Sequence, residues 1–140
     1  MVYPGTEQPE TGPQNCQSLP PTLVVEVLRV LEGEVDLREQ TRVAEQGRET
    51  MTSDNYVSEA VRLSESQDLL RDRLDQVVGK FSDLPNAELN FSGEVEVLSA
   101  ASAAMVDATK VLISPETGPP AIAAETEAIE LLLRSRKVSP

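Results

Sequence analysis

Carboxylates are the only side chains plentiful enough here to do chemistry. The chain carries 24 Asp and Glu against 12 Lys and Arg, with no histidine and one cysteine. Glu94 and Glu96 point to different faces of any helix that holds them, whereas Glu125, Glu127 and Glu130 partly converge. A working acid/base pair needs a concave site that raises the pKa of one member, and no such site is visible in the pattern. Without histidine there is no Ser–His or Cys–His dyad, no His-based metal motif and no imidazole switch. Asp54-Asn55 and Asp83 stand alone, so no calcium loop forms. Glycine-rich phosphate cradles are also missing. Cys16 has no partner for a disulfide within the chain and reads as an inert thiol in a tail. These readings predict no enzyme activity, no cofactor and no bound metal. The alternative is an acidic divalent-cation-binding protein or enzyme that uses carboxylates of the third and fourth helices.

The elements that would position these groups are helical. Between Tyr56 and Phe81 the residues Tyr56, Ala60, Leu63, Gln67, Leu70, Leu74, Val77 and Phe81 follow intervals of four and three. A second run answers it: Phe91, Val95, Leu98, Ser102, Met105, Thr109 and Leu112. Two heptad-like helices joined by a short Pro-containing link fold back as an antiparallel pair. Gln67 is the polar member of the first seam. It either fixes register or is a tolerated, partly exposed residue. Extending that register backward gives Thr52, Glu49, Glu45, Arg42 and Arg38, a charged seam. The heptad therefore does not run through residues 38–52. Thr50 to Asn55 favour caps over helix interiors, which predicts a break, with Ser53 or Asp54 capping the second helix.

The predicted fold is all-α, an elongated antiparallel bundle of three or four helices over residues 22–140. The helices span about 22–49, 54–82, 86–113 and 120–137. Residues 1–21 hold five of the ten prolines and few large apolar groups. That composition cannot offset its ordering entropy and predicts a disordered leader. Thr22 is the expected cap of the first helix, and Leu84 before Pro85 ends the second. The last helix has an apolar side of Ile122, Thr126, Ile129, Leu132 and Leu133. Glu34–Arg38, Arg71–Asp75 and Glu130–Arg134 are spaced as solvated i,i+4 pairs.

The net charge of −12 opposes nucleic acid and anionic membranes. Residues 83–130 hold nine acidic groups against Lys110 alone. Arg134, Arg136 and Lys137 complement the end of a helix dipole in preference to a membrane surface. No transmembrane segment is expected, because the apolar runs are three or four residues long. The start of the chain lacks the basic and apolar pattern of a signal peptide. The expected location is cytoplasmic by default, or the cell envelope if the chain is part of a larger protein.

Arg62–Leu74, the connector Pro115–Pro120 and the closing Ala124–Arg136 resemble the later part of a group of large, uncharacterised helical proteins from planctomycete bacteria. The resemblance covers roughly residues 22–140 and implies coiled-coil-rich packing. It implies no reaction and no site residues. The functional expectation is a non-catalytic structural or protein–protein interaction module, self-associating through residues 22–50. Its candidate surface is Leu23, Val24, Val27, Leu28, Leu31 and Val35, where the opening turns are apolar nearly all round.

Overall fold

The computed structural model describes residues 20–138, with side chains described as far as Ser135. The expected disordered leader and Cys16 lie outside the described residues, except for Pro20 and Pro21, as do the side chains of Arg136 and Lys137.

Four long helices account for most of the described chain. They are α1 (Pro21–Gln46), α2 (Ser53–Ser82), α4 (Ser92–Ile113) and α5 (Pro119–Val138), with a single turn α3 (Ala87–Asn90) between α2 and α4. They form a ring in which α1 packs on α2 and α5, and α4 packs on the same two helices. Side-chain bonds give the direction of the pairs. Along α1, Glu26, Glu34 and Gln40 meet Arg73, Gln67 and Arg62 of α2, numbers that run in opposite senses. Arg38 and Glu45 likewise meet Thr126 and Thr117 on the α5 side. The architecture is an antiparallel up-and-down bundle. With 30 residues, α2 is about 45 Å long at 1.5 Å per residue.

Each end of these helices has a local cause. Pro21 sits in the first turn of α1, where its fixed φ and missing N–H are tolerated. The expected cap at Thr22 is therefore replaced by a proline start. The predicted break between the first two helices is present, and it begins earlier than expected. α1 stops at Gly47, and Arg48–Thr50 forms one 3₁₀ turn. Thr52, not Ser53 or Asp54, caps α2. Its backbone is extended, and its hydroxyl accepts the Asn55 N–H at 3.1 Å. The third predicted helix is also interrupted. Asn86 is left-handed at φ 57°, one turn follows, and Phe91 leaves helical geometry before α4 begins. That exit sets the Phe91 ring against Phe81, with centroids 6.0 Å apart and planes inclined at 57°.

The core is divided. A large cluster contains Val27, Val30, Leu74, Phe81, Leu98 and Met105, closed by Leu132 from α5. A smaller one contains Leu37, Ala44, Leu63, Leu112 and Ala121. The chain between these clusters supplies polar side chains on three of the four helices.

Candidate functional site

On α1 the buried residues Leu23, Val27, Val30, Glu34, Leu37, Thr41 and Ala44 keep a four–three register of their own. That register is out of phase with the one read backward from Tyr56, because the break at Gly47 resets it. Glu34 and Thr41 occupy core positions in it. On α5 the buried series is Ala121, Glu125, Ala128, Leu132 and Ser135, which places Glu125 inward. Gln67 comes from the middle of α2. All four polar residues, Glu34, Thr41, Gln67 and Glu125, are 0 % exposed. Glu34, Gln67 and Glu125 form a polar layer between the two apolar clusters, and Thr41, between Leu37 and Ala44 of the smaller cluster, joins it through Glu125.

The layer joins α1 to both its neighbours. Gln67 donates from Nε2 to Glu34 Oε1 at 2.6 Å, linking α2 to α1. Thr41 Oγ1 stands 2.7 Å from Glu125 Oε2, linking α1 to α5, and 3.0 Å from the Leu37 carbonyl oxygen. Arg38 donates from its guanidinium to Thr126 Oγ1 at 3.2 Å. Among the described residues, four buried side-chain atoms remain without a partner: Glu34 Oε2, Gln67 Oε1, Glu125 Oε1 and Arg38 Nε. Burial pushes the Glu34 carboxyl up to about 8. The Gln67 amide opposes the shift, Glu125 adds repulsion, and Arg38 draws it back. Burial also raises Glu125, to about 7, against the Thr41 hydroxyl and the Arg38 and Arg42 charges.

A second polar group closes the end of the bundle beside the smaller cluster. The Thr117 N–H donates to the Tyr56 hydroxyl at 3.0 Å. Thr117 Oγ1 donates to Glu45 Oε1 at 2.8 Å, so the Tyr56 hydroxyl supplies the hydrogen in its own 3.0 Å contact with Thr117 Oγ1. Arg48 lies 4.8 Å from the centre of the Tyr56 ring and within ion-pair reach of Glu45 and Glu116. This group ties the α1–α2 turn to the α4–α5 connection.

The structure distributes the residues anticipated from sequence as follows. Tyr56, Leu63, Gln67, Leu74, Val77 and Phe81 are buried, as are Phe91, Leu98, Met105 and Leu112. Leu70 and Val95 are partly buried against the core. Ala101 and Ala108 take the inward places expected for Ser102 and Thr109, because their small side chains let α4 approach its neighbours closely. Gln67 is fully buried and not partly exposed. Glu34 does not form the solvated pair with Arg38 that its spacing suggested, since its carboxyl turns inward to Gln67. Arg71 does pair with Asp75, at 2.7 Å. On the last helix Ile129 and Leu132 are buried as expected, while the first half of the stripe is rotated by one position. Ile122 and Thr126 flank the seam, Leu133 is exposed, and Ala121, Glu125 and Ala128 face inward.

The candidate interaction surface is partly consumed by the bundle. Leu23, Val27 and Leu31 are buried, Val24 and Leu28 are half-buried, and only Val35 is exposed. Among the acidic residues, Glu94 and Glu125 are buried, while Glu96, Glu127 and Glu130 face solvent. Among the described residues, no group of three or more His, Cys, Asp or Glu side chains converges well enough to hold a metal ion. Sequence reasoning placed Gln67 in a seam but named Glu34 only as a solvated partner of Arg38 and Glu125 only as one of a converging acidic group, missing the core place of both. The signal for both was there, as the four–three register of each helix counted from its own start.

No family model, curated protein or solved structure matches this chain.

Proposed function

We propose that the chain is a non-catalytic structural or protein–protein interaction module that self-associates through the outer face of residues 22–50. One observation carries this reading: the buried polar side chains of the layer and of the Tyr56 group bond across helices. Their contacts hold α1 to α2, α1 to α5 and the α1–α2 turn to the α4–α5 connection. Such groups specify how helices pack, which suits a scaffold. The outer side of α1 adds support. Val25, Val35 and Val43 are 43 %, 42 % and 58 % exposed. Val35 shares an open groove with Leu31 and the stems of Arg38 and Arg42. Kinship with the planctomycete helical proteins belongs to the same proposal. No helix among the described residues is long and apolar enough to cross a membrane.

Sedimentation velocity of the full chain over a wide concentration range tests the proposal. Leu28 packs against the core, so an aspartate there would disturb the fold itself. Val35→Asp combined with Val43→Asp changes exposed positions only. We expect a concentration-dependent dimer that this pair of changes disperses without lowering Tm. A monomer at every concentration overturns self-association. A rise in Tm with millimolar calcium or magnesium, abolished by Glu130→Gln, would instead favour the cation-binding reading.

A further inference from the structure

Two of the four unpartnered atoms, Glu34 Oε2 and Gln67 Oε1, lie on groups already bonded to each other, and what they lack is a hydrogen. Glu34 Oε1 and Gln67 Nε2 are bonded, while the second carboxyl oxygen, Glu34 Oε2, and the amide oxygen, Gln67 Oε1, are buried and unpartnered. Both are acceptors if Glu34 is ionised. One proton on Oε2 converts it to a donor, and the Gln67 amide oxygen beside it is an acceptor without a partner. The contact at Thr41 poses the same problem. Its single hydroxyl hydrogen faces two acceptors, Glu125 Oε2 and the Leu37 carbonyl. A proton on Glu125 Oε2 resolves the conflict, since Glu125 then donates to Thr41 and Thr41 to Leu37. We propose that this layer is a proton-operated latch, in which acid protons on Glu34 and Glu125 tie α1 to α2 and α5, and whose loss loosens both seams.

The surrounding charges are compatible with two neutral acids. From α1, Arg38 and Arg42 pull Glu125 toward ionisation, and Arg38 does the same to Glu34. α2 presents uncharged Gln67 and Ser64, while its Glu65 and Asp68 are exposed. α4 contributes no facing charge, because Asp107 and Lys110 are exposed and Glu94 lies in its first turn. On α5, Glu127 and Glu130 face solvent. Desolvation outweighs the two arginines, as the raised values of about 8 and about 7 indicate.

The sign follows from linkage. Both folded values lie above the ordinary 4.5, so the native state holds more protons than the unfolded chain between those limits. The stability that the latch contributes is full below about pH 4.5 and is lost as pH rises through 7 and 8, the folded-state values at which the protons themselves leave. The composition makes this window easy to read. With no histidine, no ordinary side chain titrates between pH 6 and 8.

The test is a set of thermal melts of the full chain from pH 5 to pH 9, with Cys16→Ser as the background to silence the thiol. The expected result is a Tm that falls by on the order of 10 °C between pH 6 and 8.5. Glu34→Gln/Glu125→Gln keeps an N–H donor at each acid position and is expected to flatten the profile and to exceed the parent at pH 9. Infrared difference spectra of the parent should show a protonated-carboxyl band that disappears over the same window. A flat parent profile, an equal slope in the double variant, or no acid band at pH 6 overturns the proposal. If the double variant does not fold, the parent's infrared titration decides alone.

Discussion

Replacing Gln67 and Glu34 by leucine, singly and together, probes the polar layer most directly. Gln67→Leu removes the N–H that satisfies Glu34 Oε1 and leaves the whole carboxyl buried and unpartnered. An unsatisfied buried polar group costs about 1–3 kcal/mol, and more if it carries charge. Glu34→Leu strands the Gln67 amide in the same way, at a similar cost of about 1–3 kcal/mol. The double variant strands neither. It places two leucines between apolar clusters that already contain Leu37 and Leu63 on one side and Val30 and Leu74 on the other. Exchanging a buried polar pair for apolar groups of similar volume is neutral or stabilising by about 1–4 kcal/mol. Two destabilised single variants and a double at or above the parent imply a coupling of at least about 2 kcal/mol. Urea unfolding followed by circular dichroism at pH 6, with constant slope across the four proteins, measures it. Single variants within about 0.5 kcal/mol of the parent, adding simply in the double, would refute the reasoning. In that case the 2.6 Å contact would be incidental.

Three further outcomes follow from individual positions. Leu63→Ala, at a fully buried seam position, should lower stability by about 2–5 kcal/mol, whereas Leu69→Ala, 68 % exposed six residues later, should change it by under about 0.5 kcal/mol. Chemical denaturation of both variants checks the seam assignment. Gly79→Ala should stabilise α2 by roughly 0.5–1 kcal/mol, because an added Cβ meets nothing within 4 Å. A raised Tm is the expected reading. Tyr56→Phe removes the hydroxyl that accepts the Thr117 N–H, and should cost about 1–2 kcal/mol. Hydrogen exchange should show the Thr117 amide losing protection while Leu74 in mid-helix keeps its own.

How much of this was legible in the sequence depends on what marks each residue. The α2 seam from Tyr56 to Phe81 was readable because its members are mostly large and apolar, and nothing interrupts the helix between them. The α4 and α5 seams were read one position out in places. There the inward residues are Ala101, Ala108, Ala121 and Ala128, whose small side chains give a weak periodic signal beside Ser102, Thr109 or Ile122. Glu34 and Glu125 were overlooked for a stronger reason. A carboxylate at a core position looks like any surface carboxylate until the neighbouring helices are in place, and Glu34 even had Arg38 at the spacing of a surface pair. Local chemistry misled at the caps as well. Thr52, Ser53 and Asp54 all suit a cap, and the choice of Thr52 depends on where the 3₁₀ turn releases the chain.

The position of the polar layer, more than its strength, argues for its purpose. The apolar seams of α1 and α2 repeat every seven residues, so sliding one helix past the other by a heptad would return most leucines and valines to equivalent places. Such a slide of about 10 Å would set Glu34 opposite Ala60 or Leu74. Neither offers a hydrogen bond, and a carboxyl facing them would be stranded. Gln67 would meet Val27 or Thr41, and Val27 gives its amide nothing. The same slide on the other side of α1 would part Thr41 from Glu125 and Arg38 from Thr126. A purely apolar core would leave these arrangements close in energy. The polar layer separates them by the cost of several unsatisfied buried groups, at about 1–3 kcal/mol each. The double leucine variant keeps the Thr41–Glu125 contact but loses the polar pair of the α1–α2 seam, so it should be at least as stable and less definite in that seam. Disulfide trapping between cysteines placed in register and one heptad out of register, at exposed positions flanking the α1–α2 seam, measures that loss. In the parent only the in-register pair should close. If the double variant excludes the slipped pair as strictly as the parent does, the apolar packing and the retained Thr41–Glu125 and Arg38–Thr126 contacts set the register, and the Glu34–Gln67 pair needs another reason to be there.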